Sequence, residues 1–374
     1  FPFNNFIGNV YELAKLVEII KDEIAEGKIA DVEDALFSLS PILSSILADV
    51  QERMIYRTQT FLRDEVGNYV PSGQDIDYPN NLSSYNTSML KASFEVSIDT
   101  SLLYPPLEKT LKCLSSLYCC VESTTFSGLA QEAVSLCTDN ITLASKAVSR
   151  NSGVLDGQLF LIKHLLFLRE QIAPFDAEFA IGVKELDFSH LRGQMHRIFS
   201  GELSLFSISQ NNALLVLASE GRPQVLESTI NSKKELEKKL KVGCEAFIMS
   251  FTKIIVEPML RFITKVTVFR LSEERGKNKK LSASAFGSEK RVTEVINGVN
   301  IALETLFIPM VNSLKMYIPG KQTQALLFGP ICSNILEAHA QFCTVLEEEY
   351  TDEKLRSFGM IDASGLSKLF HTAL

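Results

Sequence analysis

The sequence predicts an all-α protein built as an elongated stack of helical bundles. Three observations predict it. Apolar residues recur at three- and four-residue spacing along most of the chain, and no strand-like alternation of useful length appears. One segment, DGQLFLIKHLLFLREQIAPF at 156–175, is apolar on almost every side. Within it, polar or small residues recur in pairs seven apart, at Asp156/Gly157, Lys163/His164 and Glu170/Gln171, which form one narrow stripe on a helix. A helix so apolar must be enclosed by other helices or by lipid. Lys163, His164 and Arg169 break the run short of the roughly 20 apolar residues of a bilayer span. The segment is therefore expected as the central helix of a bundle over 156–173, capped by Asp156 and ended by Pro174.

Composition supports the class. At 374 residues the chain calls for two or three packed units rather than one core. Tryptophan is absent, phenylalanine numbers 24 and proline only 12, a balance that suits helices packed through Leu and Phe. A net charge of −8 argues against nucleic acid as the main partner, because phosphate binding draws its affinity from Lys and Arg. The seven cysteines, at 113, 119, 120, 137, 244, 332 and 343, contain no CxxC pair and read as free thiols of a reducing cytosol. The triplets beginning at Asn81, Asn86 and Asn140 fit the glycosylation sequon but read as chance matches in that setting. The chain begins at Phe1 without a signal-like segment, as expected of a fragment whose N-terminal part lies outside it.

The elements follow in order. Val10, Leu13, Val17, Ile20 and Ile24 predict a helix over 9–26, a second is expected over 31–39, and a third starts at Ser40-Pro41. The third carries Ile42, Ile46, Val50, Met54 and Phe61 on one face and stops near Gly67, so 1–66 reads as the end of a bundle. Gly, Pro, Asn and Ser crowd 67–101, which is expected to be a mobile polar loop. Helical spacing resumes at Pro105 with Leu107, Leu111, Leu114, Leu117 and Val121, and again over 126–148, so 102–230 is a bundle around the 156–173 helix. In the C-terminal bundle, 231–374, Ser232-Lys-Lys-Glu235 reads as a capping box. The helix it opens carries Leu236, Leu240, Phe247, Phe251, Ile254, Phe262, Val266 and Phe269, and reaches Arg270 with a kink expected at Pro258. Its length of about 58 Å is what suggests an elongated shape. Val292, Val295, Val299, Leu303 and Leu306 mark a helix bending near Pro309. Leu327, Ile331, Ile335 and Phe342 mark another, and 352–374 reads as one short docked helix.

Chemical motifs are weak. Asp75 and Asp77 resemble two ligands of a calcium loop, but its glycine and closing glutamate are missing, so a turn with solvated carboxylates is the reading. Cys113, Cys119 and Cys120 do not converge and read as small core or surface residues. His190 and His196, six apart, do not share a helical face. His339 and Cys343 do, with Cys332 seven residues earlier, yet without a fourth ligand packing is favoured over a metal. Neither HExxH nor GxSxG occurs, and neither Gly276-Lys277 nor Gly320-Lys321 has the glycine that a phosphate loop needs. From 261 to 291 nine Lys and Arg face three Glu, most of them in the loop 271–291. Such a loop is read as solvated, with anionic lipid or an acidic partner as the alternative. No catalytic, cofactor-binding or metal-binding residue is assigned.

Longer strings carry more. DVQERMIYRT at 49–58, GNYVP at 67–71 with DYP at 77–79, DGQLFLIKHLL at 156–166 with LREQIAPF at 168–175, and SQNNAL at 209–214 occur in one collinear order. Together they resemble the C-terminal half of the family of subunit three of the conserved oligomeric Golgi complex. The resemblance implies a helical-rod subunit of the tethering-complex type, non-enzymatic and without a cofactor, whose family also has an N-terminal coiled-coil portion. It implies a peripheral place on the cytosolic face of Golgi membranes and in the cytoplasm, and a role in intra-Golgi retrograde vesicle transport and Golgi organisation. The partners it implies are the other subunits of that complex, SNAREs, Rab GTPases, golgins and coatomer. A subunit of another helical-rod tether, or a coat-associated scaffold, would fit the same periodicity.

Overall fold

Helix is what the spacing of Leu, Val and Phe favours, and helix is what most of the described chain forms. The computed structural model describes residues 3–25, 40–82, 103–175, 180–187, 224–273, 281, 284–350 and 358–373. In order these give α1 (Phe3–Ala25), α2 (Ser40–Phe61) continued by a π-helical turn (Leu62–Gly67), α3 (Pro105–Leu117), α4 (Ser123–Ser152) and α5 (Val154–Ile172). Then come α6 (Ser232–Glu273), α7 (Glu289–Ile301), a second π turn (Ala302–Phe307), α8 (Ile308–Tyr317), α9 (Lys321–Glu349) and α10 (Ala363–Ala373). The expected helix at 31–39 lies outside the described residues.

The helical class holds, with one addition. β1 (Ala180–Asp187) and β2 (Gln224–Asn231) pair antiparallel, Ala180 opposite Asn231 and Asp187 opposite Gln224. No such strand was expected, because neither stretch alternates cleanly. The partner that completes the backbone ladder stands some forty residues away and leaves no local period.

The chain divides into two units. One comprises Phe1–Thr60, Cys113–Ser135 and Phe175–Glu235; the other comprises Phe61–Lys112, Leu136–Pro174 and Leu236–Leu374. In the first, the turn between α3 and α4 is gripped from two sides. Lys21 Nζ donates to the Cys119 carbonyl and Gln51 Nε2 to the Cys120 carbonyl, each at 2.7 Å. Cys119 sits at φ 67°, in the left-handed region. Tyr118, Phe126 and Phe175 close the turn with ring centroids 5.3–5.7 Å apart. On α2, Val50, Met54 and Phe61 are buried as expected, but Ile42 and Ile46 are exposed.

The second unit is organised around α5. No residue from 155 to 169 is exposed, and Leu159, Phe160, Ile162, Leu165 and Leu168 are fully enclosed. The helix starts at Val154, after Gly153 at φ 112°, so Asp156 lies inside the first turn instead of capping it. Gly157 lets α5 cross α4 closely: a β-carbon there would fall 2.6 Å from the Ser145 carbonyl oxygen and nearer still to Ser149 Oγ.

Three further expectations are corrected. At the start of α6 the cap is Asn231, whose Oδ1 accepts from the Lys234 N–H at 3.0 Å, while the Ser232 hydroxyl is buried. The helix begins one residue earlier than the Ser-x-x-Glu pattern implies, and the residue just outside it does the capping. Along α6, Ile255 rather than Ile254 continues the buried stripe of Phe247, Phe251, Met259, Phe262 and Val266. Between α7 and α8, Phe307 is buried and Leu306 is 45% exposed. Pro309 has no N–H for the carbonyl four residues back and its ring crowds that carbonyl, so the turn before it widens to π geometry. The extra residue per turn moves the buried stripe from position 306 to 307. It runs on through Val311 and Leu314.

Phenylalanine supplies the remaining core. Phe251, Phe307, Phe328 and Phe370 meet in sequence from α6 to α10 in edge-on and tilted ring contacts, and Phe262 meets Phe342 of α9 at 5.4 Å. The helix expected within 352–374 is α10, and Asp362 Oδ1 caps it by accepting from the Gly365 N–H at 2.9 Å.

Leu165→Asp tests the enclosure of α5. An unpaired carboxylate there costs several kcal/mol, so the variant is expected to lose its helical circular-dichroism signal well below the wild-type melting temperature. A melt superimposable on wild type would show that α5 has a wet side.

Candidate interaction site

The polar segment 67–82 is fastened at both ends to α3, α4 and α5. Asn140 of α4, 3% exposed, donates from Nδ2 to the Tyr69 carbonyl at 2.8 Å and accepts the Tyr104 hydroxyl on Oδ1 at 2.5 Å. Its side chain is thereby committed inside the protein, whatever sequon it begins. Asp75 accepts from the Tyr69 hydroxyl (2.6 Å), the Ser72 N–H (2.8 Å) and the Ser72 hydroxyl (2.7 Å). These hydrogen bonds hold its carboxyl below the ordinary carboxylate range against the opposing effect of burial. Asp77 accepts from Asn80 Nδ2 at 2.9 Å, and Asn81 donates to the Gln74 carbonyl at 2.8 Å. Both aspartates are therefore spent on the turn. Lys109 bonds Glu65 at 3.0 Å and lies 4.8 Å above the Tyr69 ring.

The far end of this segment plugs into α5. Tyr78, 3% exposed, stacks on Tyr317 and meets Phe160 edge-on at 4.9 Å. Its hydroxyl lies 3.5 Å from His164 Nε2, while His164 Nδ1 lies 2.8 Å from the Phe160 carbonyl. That carbonyl can only accept, so Nδ1 carries the proton and Nε2 is the acceptor for Tyr78. Burial, reinforced by the neighbouring Lys163 charge, pushes the His164 pKa down to about 3, and burial takes Lys163 down to about 8. The ring is a neutral structural group.

Other residues singled out from the sequence are placed as follows. Cys113 is buried, Cys119 exposed and Cys120 half-buried. His339 Nε2 lies 2.8 Å from the Ile361 carbonyl and so fastens the segment before α10 to α9, while Cys343 Sγ, on the same helix, lies 3.6 Å from His339 Nδ1. Among the described residues no three His, Cys, Asp or Glu side chains are grouped to hold a metal ion. Gly320 is the N-cap of α9 and Lys321 its first residue. His190, His196, Asn86 and Gly276-Lys277 lie outside the described residues. Of the basic stretch, Arg261 bonds Glu257 and Arg291 bonds Glu294, each at 2.6 Å, and Arg270 bonds Glu348 and Glu349.

Sequence reasoning did not pick out the solvent-facing apolar residues of the second unit. Met249, Val268 and Leu271 on α6, and Ile301, Leu306 and Ile308 near the second π turn, are 44–66% exposed. The continuous helix Glu289–Tyr317 is long and apolar enough to cross a membrane by length and composition, with 33% of its apolar window buried.

The comparisons with known proteins are consistent from end to end. Residues 6–191 match the family model described as Conserved oligomeric Golgi complex subunit 3, C-terminal, and residues 239–372 match the one described as COG3 C-terminal cap domain. The chain belongs to this family. It is 31% identical to the Conserved oligomeric Golgi complex subunit 3 of Homo sapiens over 401 residues, covering 96% of this chain and 48% of that protein. It is 34% identical to the subunit of the same name from Dictyostelium discoideum over 393 residues, covering 100% of this chain and 42% of that one. The chain thus spans about half the length of the curated family members it matches. No solved structure matches it. The second family match begins within α6 and ends within α10, so the cap named by the family contains the Phe251–Phe307–Phe328–Phe370 core.

His164 gives a pH signature. Its folded pKa of about 3 lies below the unfolded value of about 6.5, so the unfolded chain binds the extra proton and stability falls as pH falls through that interval. Lys163 is charged in both states below about pH 7 and adds no slope. Urea unfolding is expected to show a loss of about 2 kcal/mol from pH 7 to 5. That slope is expected to flatten in His164→Phe; an unchanged slope would mean that the ring is not buried neutral.

Proposed function

We propose that this chain is the C-terminal part of a non-enzymatic subunit of a multisubunit vesicle-tethering complex, acting in intra-Golgi retrograde transport and in Golgi organisation. The observation that carries the reading is the pair of successive matches to one family over 6–191 and 239–372. The chemistry agrees with it. His164, Tyr78, Asn140, Asp75 and His339 are engaged in holding segments against helices, and the outward faces of α6 to α8 offer apolar contact area.

In this reading the protein lies on the cytosolic face of Golgi membranes as a peripheral subunit. It assembles with the other subunits of its complex and contacts SNAREs, Rab GTPases, golgins and coatomer through many weak interfaces used together, so that effective concentration near the membrane does the work. The elongated stacking of bundles expected from the sequence belongs to the same reading.

Affinity purification of the tagged full-length parent protein from cells, followed by mass spectrometry, tests the assignment. Recovery of the other Golgi tethering subunits in comparable amounts is expected. Recovery of a different tether's subunits, or of no stable companions, would overturn it. Small-angle scattering of the chain is expected to give a radius of gyration clearly above the roughly 21 Å of a spherical domain of this length.

A further inference from the structure

We propose that the groove between α6 and α7 is a docking site for an amphipathic helix of a partner protein, one whose apolar stripe is flanked by carboxylates. The groove encloses about 670 Å³. Its floor is Phe262 and Phe286, in edge contact at 6.5 Å, beside Val295. One wall is the row Glu257, Arg261 and Lys265, four residues apart on α6. The other is Arg291, Glu294 and Gly298 on α7, at three- and four-residue spacing, and Ile301, 58% exposed, continues that row.

Helical form in the partner follows from the walls. Two rows at this spacing are the ridges that bound a helical groove, into which the ridge of a third helix fits. Gly298 suits a close approach, since a β-carbon built there would meet nothing within 4 Å among the described residues beyond the backbone of its own helix. The lip on that side is open.

Charge decides the flanks. Arg261 and Arg291 are each oriented by a glutamate of their own helix at 2.6 Å and keep further N–H donors for a second carboxylate. Lys265 has no ion-pair partner among the described residues. A partner helix with acidic flanks satisfies all three cations. For the residues that line the groove a membrane surface fits less well, because Glu257 and Glu294 offset two of their three cations, whereas lipid recognition draws on clusters of four or more.

The inference deepens the assembly reading and rests on it only for the partner's being a protein. Its test is a phage-displayed library of helical peptides with a fixed leucine stripe and randomised flanking positions, selected on the purified chain. Glutamate and aspartate are expected to accumulate at the flanks. Binding of the selected peptides is expected to weaken about tenfold in Lys265→Glu and in Gly298→Leu, with unchanged melting temperatures, and to stay unchanged in the remote Lys112→Glu. Selection on Lys265→Glu is expected to turn the flank preference toward lysine or arginine. An empty selection, uncharged flanks, or binders indifferent to Gly298→Leu would overturn the proposal. So would binding to phosphatidylserine vesicles with the same residue dependence, which would make the groove a lipid site. Failure of co-purification alone would sink the tether and leave the groove; failure of the selection alone would do the reverse.

Discussion

The enclosure of α5 is the constraint on which the larger unit depends. A helix with no exposed residue from 155 to 169 must find protein partners for the polar side chains it buries. His164 meets this through the Phe160 carbonyl and the Tyr78 hydroxyl, and Gln158 in part, donating from Nε2 to Ser250 Oγ on α6 at 3.0 Å while its buried Oε1 has no hydrogen-bond partner among the described residues. Close backbone approach completes it, since α4 reaches α5 only because position 157 lacks a β-carbon. Tyr78 is drawn into the same pocket, and the polar segment that carries it comes along. A stretch whose composition reads as loop is thereby part of the core.

A second constraint acts at the C-terminal cap. Pro309 interrupts the α-helical ladder, and the π turn over Ala302–Phe307 absorbs the interruption while keeping Val299, Leu303, Phe307 and Val311 on the core side. A straight helix would have kept Leu306 inside. The cost of continuity is an apolar residue turned outward, next to Ile301 and Ile308. Core registry and exposed contact surface in this region are consequences of one local adjustment.

The helices themselves were largely legible. Leu327, Ile331, Ile335 and Phe342 lie where their spacing puts them, and the 156–173 segment is as enclosed as its composition requires. The errors are of one or two residues at ends and stripes, as with Asn231 for Ser232 or Ile255 for Ile254. The candidate site was much less legible. The groove is assembled from residues some thirty positions apart, Arg261 and Lys265 against Arg291 and Glu294, which in the sequence are only parts of a basic stretch interspersed with glutamates.

By itself the sequence determined the helical class, the order of the described helices, the enclosure of α5 and, through its longer strings, the family. Those rest on backbone hydrogen bonds four residues apart and on a periodicity that a short window contains. Only the tertiary structure decided which polar residues go inside: His164, Asn140 and Tyr78 among them. It also paired β1 with β2, turned Leu306 out for Phe307, and set α6 beside α7 with Gly298 at the lip. Each of these depends on a partner far away in the chain, and no local period records that partner.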